Sequence, residues 1–286
     1  MVTVGIPVYN AGKYLKNAID SVLSQTYSNL EILITMDGAT DNSLDIIKSF
    51  NDKRIRLIAD EENRGIAFRL NQQVRMARGS FFARMDADDI MFPDRIEKQL
   101  KFMAGNPDVD VTGGQAIVID QDNAILGFRH SDTNISSSLI RKKILFIHPT
   151  AFGRTGWFLK HPYLTELDGV EDYYLWNSTY FESRFHILNF PLIFYRDPPE
   201  ADVTSYLRRQ KKMRKALNML LHKNVMNSLV FSRLYLASIL KSIIFSISGR
   251  INMSQRIVSR RNTPLHDRDL AAYSDLLNKI TLPGTL

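Results

Sequence analysis

Three acidic segments of this chain each stand where an apolar run ends or a helical one begins. Asp37-Gly38 follows EILITM (residues 31–36), Asp86-Ala87-Asp88-Asp89 follows FFARM (81–85), and Glu171-Asp172 opens a stretch carrying Tyr174, Leu175 and Trp176. Carboxylate oxygens suit a hard divalent cation such as Mg²⁺ or Mn²⁺. One or two are enough, because phosphate oxygens and water complete its shell. A cation held there neutralises negative charge on a departing phosphate oxygen. Asp86 and Asp88 are the candidates for holding it, or for holding a ribose, because residues two apart in an extended segment project to the same side. The plain alternative is a loop of solvated aspartates ahead of a helix.

A carboxylate can also take the proton of an attacking hydroxyl. Asp172 is the candidate base, with Glu171 second; a carboxylate opening a helix also stabilises the helix dipole, and both roles are compatible. Asp37 can accept a hydrogen bond from the N–H of a base imide, or it is a turn aspartate. Gly65 and Arg69 are candidates for flanking the same ligand, against an ordinary surface helix. His148, ahead of Pro149-Thr150, is structural, an acceptor contact, a third ligand to the metal or a donor to phosphate.

These residues need elements to position them. Val2–Val8 is a β-branched apolar run that predicts a buried parallel strand. Leu15, Ala18, Ile19, Val22 and Leu23 fall at helical spacing and predict an amphipathic helix. Residues 31–36 predict the second strand, Ser43 the cap of a helix carrying Leu44, Ile47 and Phe50, and Ile55–Ala59 the third strand. Gly65 precedes a helix through Leu70, Val74 and Ala77; Phe81–Met85 predicts the fourth strand, and Pro93 the first turn of a helix over Asp94–Met103. Further on, Asp108–Thr112 and Gln115–Ile119 predict two short strands with a turn at Asp120–Asn123, and Phe190–Arg196 a late strand. Strand then helix, repeated four times, implies an α/β fold with a mostly parallel central sheet. In such sheets ligands bind beyond the carboxyl ends of the strands. Tyr9-Asn10, Asp37-Gly38 and residues 86–89 all fall at those ends, so they should share one crevice.

Composition narrows the options. With 286 residues and 44% hydrophobic content the chain can bury a real core. It has no cysteine, which excludes disulfides, thiolate metal sites and cysteine nucleophiles. The N-terminus enters an apolar strand at once, so no secretory leader is expected. The net charge of +7 is uneven: residues 203–266 hold 13 Lys and Arg and no Asp or Glu, leaving the rest of the chain at −6. Arg208, Arg209, Lys211, Lys212, Arg214 and Lys215 are the densest part, and residues 229–247 (LVFSRLYLASILKSIIFSI) are long enough to span a bilayer but are interrupted by Arg233 and Lys241. Helices lying on an anionic membrane surface are expected, with a helical hairpin packed on the body as the alternative. The tail lacks the interleaved aromatics or motifs of a nucleic-acid binder, so none is expected.

As a set, VTVGIPVYNAGKYLKNAIDSVLSQTY, MDGATDNS, NRGIAFRLN, MDADDIMFPDRIEKQ and GVEDYYLW, in this order over roughly residues 1 to 200, resemble the family 2 glycosyltransferases. The style is that of bacterial enzymes building surface polysaccharides such as O-antigen or capsule. The resemblance implies a GT-A fold over residues 1–205, with a basic, largely helical extension over 206–286. It implies inverting transfer of a hexose from a nucleotide-sugar, commonly a UDP-sugar, with Mn²⁺ or Mg²⁺. By the same analogy Pro7, Val8, Tyr9 and Asp37 face the donor base, Asp86 lies near the ribose, Asp88 binds the metal and Asp172 is the base. A lipid-linked saccharide acceptor and a cytoplasmic, peripheral location at the inner face of the membrane go with it. Where the family often has two aspartates after the second strand, this chain has Met36 and Asp37, which loosens the inference to the donor. Two other readings compete. A sugar-phosphate nucleotidyltransferase needs a glycine-rich basic loop after the first strand, and Val8-Tyr9-Asn10-Ala11-Gly12 is poor for a triphosphate. A non-catalytic nucleotide-sugar-binding protein would bind without turnover.

Overall fold

A computed structural model describes residues 1–142, 145–197, 203–250 and 262–281. Its nine-stranded sheet is, in spatial order, β3 (Ile55–Ile58), β2 (Leu30–Met36), β1 (Val2–Val8), β4 (Phe81–Arg84), β8 (Phe152–Arg154), β6 (Val111–Ile119), β9 (Phe185–Arg196) and β5 (Ile90–Met91), with β7 (Ile125–Arg129) also paired to β6. The first half is the expected parallel unit: β1 (Val2–Val8), β2 (Leu30–Met36), β3 (Ile55–Ile58) and β4 (Phe81–Arg84). β2 is buried at every position, and β1 at all but one, because helices cover both sheet faces. α1 (Gly12–Leu23) buries Leu15, Ala18, Ile19 and Val22 as its spacing requires. α2 (Ser43–Ser49), α3 (Ile66–Met76) and α4 (Arg95–Gly105) complete the crossovers.

The second half is mixed. β6 (Val111–Ile119) and β9 (Phe185–Arg196) run parallel. β8 (Phe152–Arg154) is antiparallel to both β4 and β6, and joins the halves. β5 (Ile90–Met91) and β7 (Ile125–Arg129) add antiparallel edges. α6 (Thr155–Lys160) and α7 (Glu171–Thr179) pack with α3 through Trp157, Phe158, Leu175 and Trp176, and α5 (Ser137–Lys142) lies against α7.

The structure departs from the sequence expectations at four points. The two short strands around Gly113-Gly114 are one strand: the glycines sit at a register shift, not a break. The late strand starts at Phe185, five residues early, because Phe185–Ile187 pair with Val111–Gly113 at the start of β6, and Pro191 falls at the same shift. Ser43 does not cap α2; its Oγ accepts from Ala11 N at 3.2 Å and ties the loop after β1 to α2. Pro93 lies outside α4, whose cap position is Asp94.

The basic region forms α8 (Val203–His222), α9 (Ser228–Arg250) and α10 (Asp267–Thr281). α8 buries Ala216, Leu217 and Leu220 against Leu167, Val170, Tyr173 and Tyr174. α10 buries Leu277 and Ile280 against Ile90, Ile119 and Phe194 at the far edge of the sheet. α9 keeps Leu229, Leu236, Leu240, Ile243 and Ile247 exposed.

Candidate functional site

The carboxyl ends of β1, β2 and β4 open into a cleft of about 400 Å³. Seven of the residues singled out from the sequence line it: Pro7, Val8 and Tyr9 at the end of β1, Asp37 after β2, Gly65 before α3, and Asp86 and Asp88 after β4. Asn10 adopts φ 48°, and its Oδ1 accepts from Thr40 N at 2.8 Å, which fastens the loop after β1 to the loop after β2. Arg69, Glu171 and Asp172 are not among the lining residues.

Asp37 is a hub. Its carboxylate accepts from Arg64 N (2.8 Å), Gly65 N (3.0 Å) and Arg69 Nε (2.7 Å). A carboxylate offers about four acceptor positions, so about one is left for a ligand. Arg69 is therefore placed behind the cleft and not along it. It is fully buried and also donates to Asp60 (2.9 Å) and the Glu62 carbonyl (2.6 Å), a scaffold for the 60–65 loop. Gly65 has φ 85°, and a Cβ there would meet the Asp168 carboxylate at 3.0 Å. Asp168, a lining residue that no sequence pattern announced, accepts from Ala67 N at 3.0 Å at the first turn of α3.

After β4 the chain turns at Ala87-Asp88, so the extended alternation stops and Asp89 joins Asp86 and Asp88. Ligand oxygens of the three lie within 4.8 Å of one another. Asp86 is held by Arg84 through two ion-pair contacts, 2.5 and 2.7 Å. Asp89 Oδ1 accepts from Arg196 N at 2.8 Å, while its buried Oδ2 has no partner. Burial and the neighbouring Asp86 push Asp88 up to about 6, and burial with Asp88 and Asp86 holds Asp89 well above the carboxylate range. An orphaned buried oxygen and three crowded carboxylates are the donor set a hard divalent cation requires, so these residues fit such an ion. Arg196 clamps the turn from the far strand: Nε donates to the Asp88 carbonyl (2.9 Å), and the guanidinium sits 4.1 Å over the Tyr14 ring.

A second acidic pair opens α7. Glu171 and Asp172 are both buried. Burial and then the Asp172 charge push Glu171 up to about 8. Burial also raises Asp172, and Arg209, the Tyr173 N–H and Arg84 oppose the rise. His148 stands 3.8 Å from Glu171 and 3.1 Å from the Tyr163 hydroxyl, and burial with Arg84 holds its pKa well below the usual range. It belongs to this pair and not to the aspartate turn, which removes it as a third ligand. Arg84 links the two groups: bonded to Asp86, it also acts electrostatically on Asp172, His148 and Tyr163.

The Glu171 shift has a consequence for stability. The folded chain holds this proton more tightly than the unfolded chain, whose value is near 4.5. Its stabilising effect is complete below that value and is lost as pH rises through about 8. Glu171→Gln cannot lose a proton. Between pH 5 and 9 the parent should therefore lose about 1–3 kcal/mol relative to Glu171→Gln. Paired thermal melts across that range check it, and a constant gap would contradict it.

The family model for glycosyl transferase family 2 matches residues 3–164, more than half of the chain. The chain belongs to glycosyl transferase family 2. A glycosyltransferase of Methanocaldococcus jannaschii is 32% identical over 219 residues, 74% of this enzyme and 76% of that protein. The Escherichia coli UDP-Glc:alpha-D-GlcNAc-diphosphoundecaprenol beta-1,3-glucosyltransferase is 30% identical over 190 residues, covering 66% of this enzyme and 73% of the relative. Among solved structures, Staphylococcus aureus TarS (residues 1–349) with UDP-GlcNAc aligns with TM-score 0.65 at 18% identity, over 83% of this glycosyltransferase and 72% of that chain. A Pyrobaculum calidifontis mannosyltransferase with GDP-Man and Mn²⁺ aligns with TM-score 0.59 at 16% identity, over 97% and 80%. These neighbours share the fold of this family 2 enzyme.

Proposed function

We propose that this glycosyltransferase moves a hexose from a UDP-sugar to a hydroxyl of a lipid-linked saccharide, with inversion and with Mn²⁺ or Mg²⁺. The observation that carries this reading is the convergence of Asp86, Asp88 and Asp89 within 4.8 Å at the mouth of the cleft lined by Pro7, Val8 and Asp37. The UDP-sugar complex of TarS, the Mn²⁺ complex of the mannosyltransferase and the diphosphoundecaprenol acceptor of the E. coli relative support it. In this reading residues 1–205 are the catalytic domain and 206–286 its basic extension.

The chain's own groups have distinct tasks. Pro7, Val8 and Tyr9 form the wall for the donor base, and the remaining Asp37 position takes its N–H. Asp86, fixed by Arg84, faces the ribose and shares the cation with Asp88. When bound, the cation neutralises the charge on the departing diphosphate. Asp172 takes the acceptor hydroxyl's proton. Glu171 carries the proton of the pair, which leaves Asp172 ionised for that task. Inversion has a direct readout. From UDP-α-glucose, or whichever α-linked donor is used, proton NMR of the first-formed product should show the β-anomer, with transfer stopped by chelator. An α-product, or transfer indifferent to EDTA, would refute the scheme.

The extension is proposed to rest on an anionic membrane at the cytoplasmic face. Residues 228–247 have mean hydropathy 1.6, yet only 11% of that window is buried in the protein. Cations beside such a surface contribute about 1 kcal/mol each. Replacing Leu236, Leu240 and Ile243 together by Ser should at least halve co-sedimentation with phosphatidylserine vesicles. These side chains are exposed, so melting should not change. Undiminished sedimentation would remove the membrane reading.

A further inference from the structure

Half of the cationic cluster on α8 is used by the fold itself. Lys212 Nζ donates to the Asp168 carbonyl at 2.6 Å, Lys215 pairs with Glu166 at 2.6 Å, and Arg214 donates to Ser242 at 3.1 Å. Arg208, Arg209 and Lys211 are exposed and make no hydrogen bond or ion pair among the described residues. Helical spacing separates these three. Met213, Ala216, Leu217 and Leu220 form the stripe that packs on α7, and Arg209, one turn before Met213, continues that stripe toward the solvent. Lys211 points to the other side of the helix. Lys215 meets Glu166 and Lys212 meets the Asp168 carbonyl, so α8, followed back to Arg209, runs toward the start of α7, and the Arg209 charge acts on Asp172.

An exposed guanidinium that makes no hydrogen bond of its own, beside the acidic pair, is a ready partner for an anion that arrives with a substrate. The diphosphate of the donor belongs at the aspartate turn, on the other side of Arg84. The acceptor hydroxyl belongs at Asp172. One turn before Arg209, Tyr206 stacks on Phe245 of α9 with ring centroids 3.8 Å apart, so the exposed apolar side of α9 begins next to this arginine. A phosphate with an apolar chain behind it matches that sequence of surfaces: cation first, hydrocarbon next.

We propose that Arg209 binds a phosphate carried by the acceptor, beside the hydroxyl that Asp172 deprotonates. The inference rests on the reading of Asp172 as base. The phosphate can belong to a polyprenyl carrier or to a soluble sugar phosphate, and the two differ in whether α9 contributes.

Calorimetry on the enzyme saturated with UDP and Mg²⁺ tests this with three probes: farnesyl phosphate, glucose 1-phosphate and farnesol. Both phosphates should bind, and Arg209→Gln should weaken each by about tenfold or more, with Arg209→Lys intermediate. Farnesol affinity should be the same in all variants, and Lys211→Gln should match the parent. Farnesyl phosphate binding more tightly than glucose 1-phosphate would support a lipid source; equal affinities would support a soluble one. Three results would overturn the proposal: no binding of either phosphate to the parent, equal losses in Lys211→Gln, or release of UDP by the probes. If Asp172→Asn keeps full turnover, the base assignment fails while the binding result stands. If Asp172→Asn is inactive and Arg209→Gln binds all probes normally, only this inference fails.

Discussion

Asp172→Asn is expected to transfer sugar about 10²–10⁴-fold more slowly than the parent, the range lost when a positioned general base is removed. Donor affinity should be unchanged, because Asp172 does not line the cleft. The fold should survive: the side chain accepts from Tyr173 N at 2.7 Å, and the amide oxygen of asparagine can accept the same bond. The substitution also removes a charge that pushes Glu171 up, so Glu171 becomes the stronger acid in the variant. Residual activity in Asp172→Asn should accordingly rise with pH through a lower midpoint than about 8, with Glu171 acting weakly in its place. Turnover within threefold of the parent would show that the base lies elsewhere. Single-turnover kinetics with a matched melting curve separate that result from misfolding.

Asp88→Ala should be as damaging for a different reason. Neutralisation of a leaving phosphate by a bound cation is worth several kcal/mol, which corresponds to about 10²–10⁴ in rate. Asp86 cannot substitute fully, because Arg84 holds both of its oxygens. Asp89 is turned toward Arg196. Without metal, the variant should melt no lower than the parent, since one of three crowded carboxylates, two half-buried and one buried, is gone. Loss of rate with no loss of stability marks a functional carboxylate, whereas loss of both marks a structural one. Retained rate would remove Asp88 from the site.

The parallel half of the sheet was readable because its strands are buried on both faces and so appear as unbroken apolar runs. β5 and β8, two and three residues long, carry no period of their own. Their pairing depends on β9, β4 and β6, which the local sequence does not encode. Gly113-Gly114 looked like a gap because glycine carries no β signal, yet both residues sit in a fully buried strand. At the site, Asp37, Asp86 and Asp88 were readable from their place after strands. Asp89 was misjudged because alternation assumes an extended chain, and the turn at Ala87-Asp88 breaks it. Arg69 was misplaced because helical spacing does not say which neighbour a long side chain will choose, and here it chose Asp37 and Asp60. Asp168 and Arg84 had no local signal at all. Their significance comes from contacts across the fold, with Ala67 in one case and with both acidic groups in the other.

Whether a cation and a diphosphate share one rim of the sheet is tested most directly by calorimetric titration of UDP into the parent and into Asp88→Ala, with and without Mn²⁺. The parent should bind UDP at least about tenfold more tightly with Mn²⁺, a difference of about 1.4 kcal/mol or more, and Asp88→Ala should show no such difference. Equal UDP affinity in all four titrations, or a Mn²⁺ effect that survives in Asp88→Ala, would contradict the account.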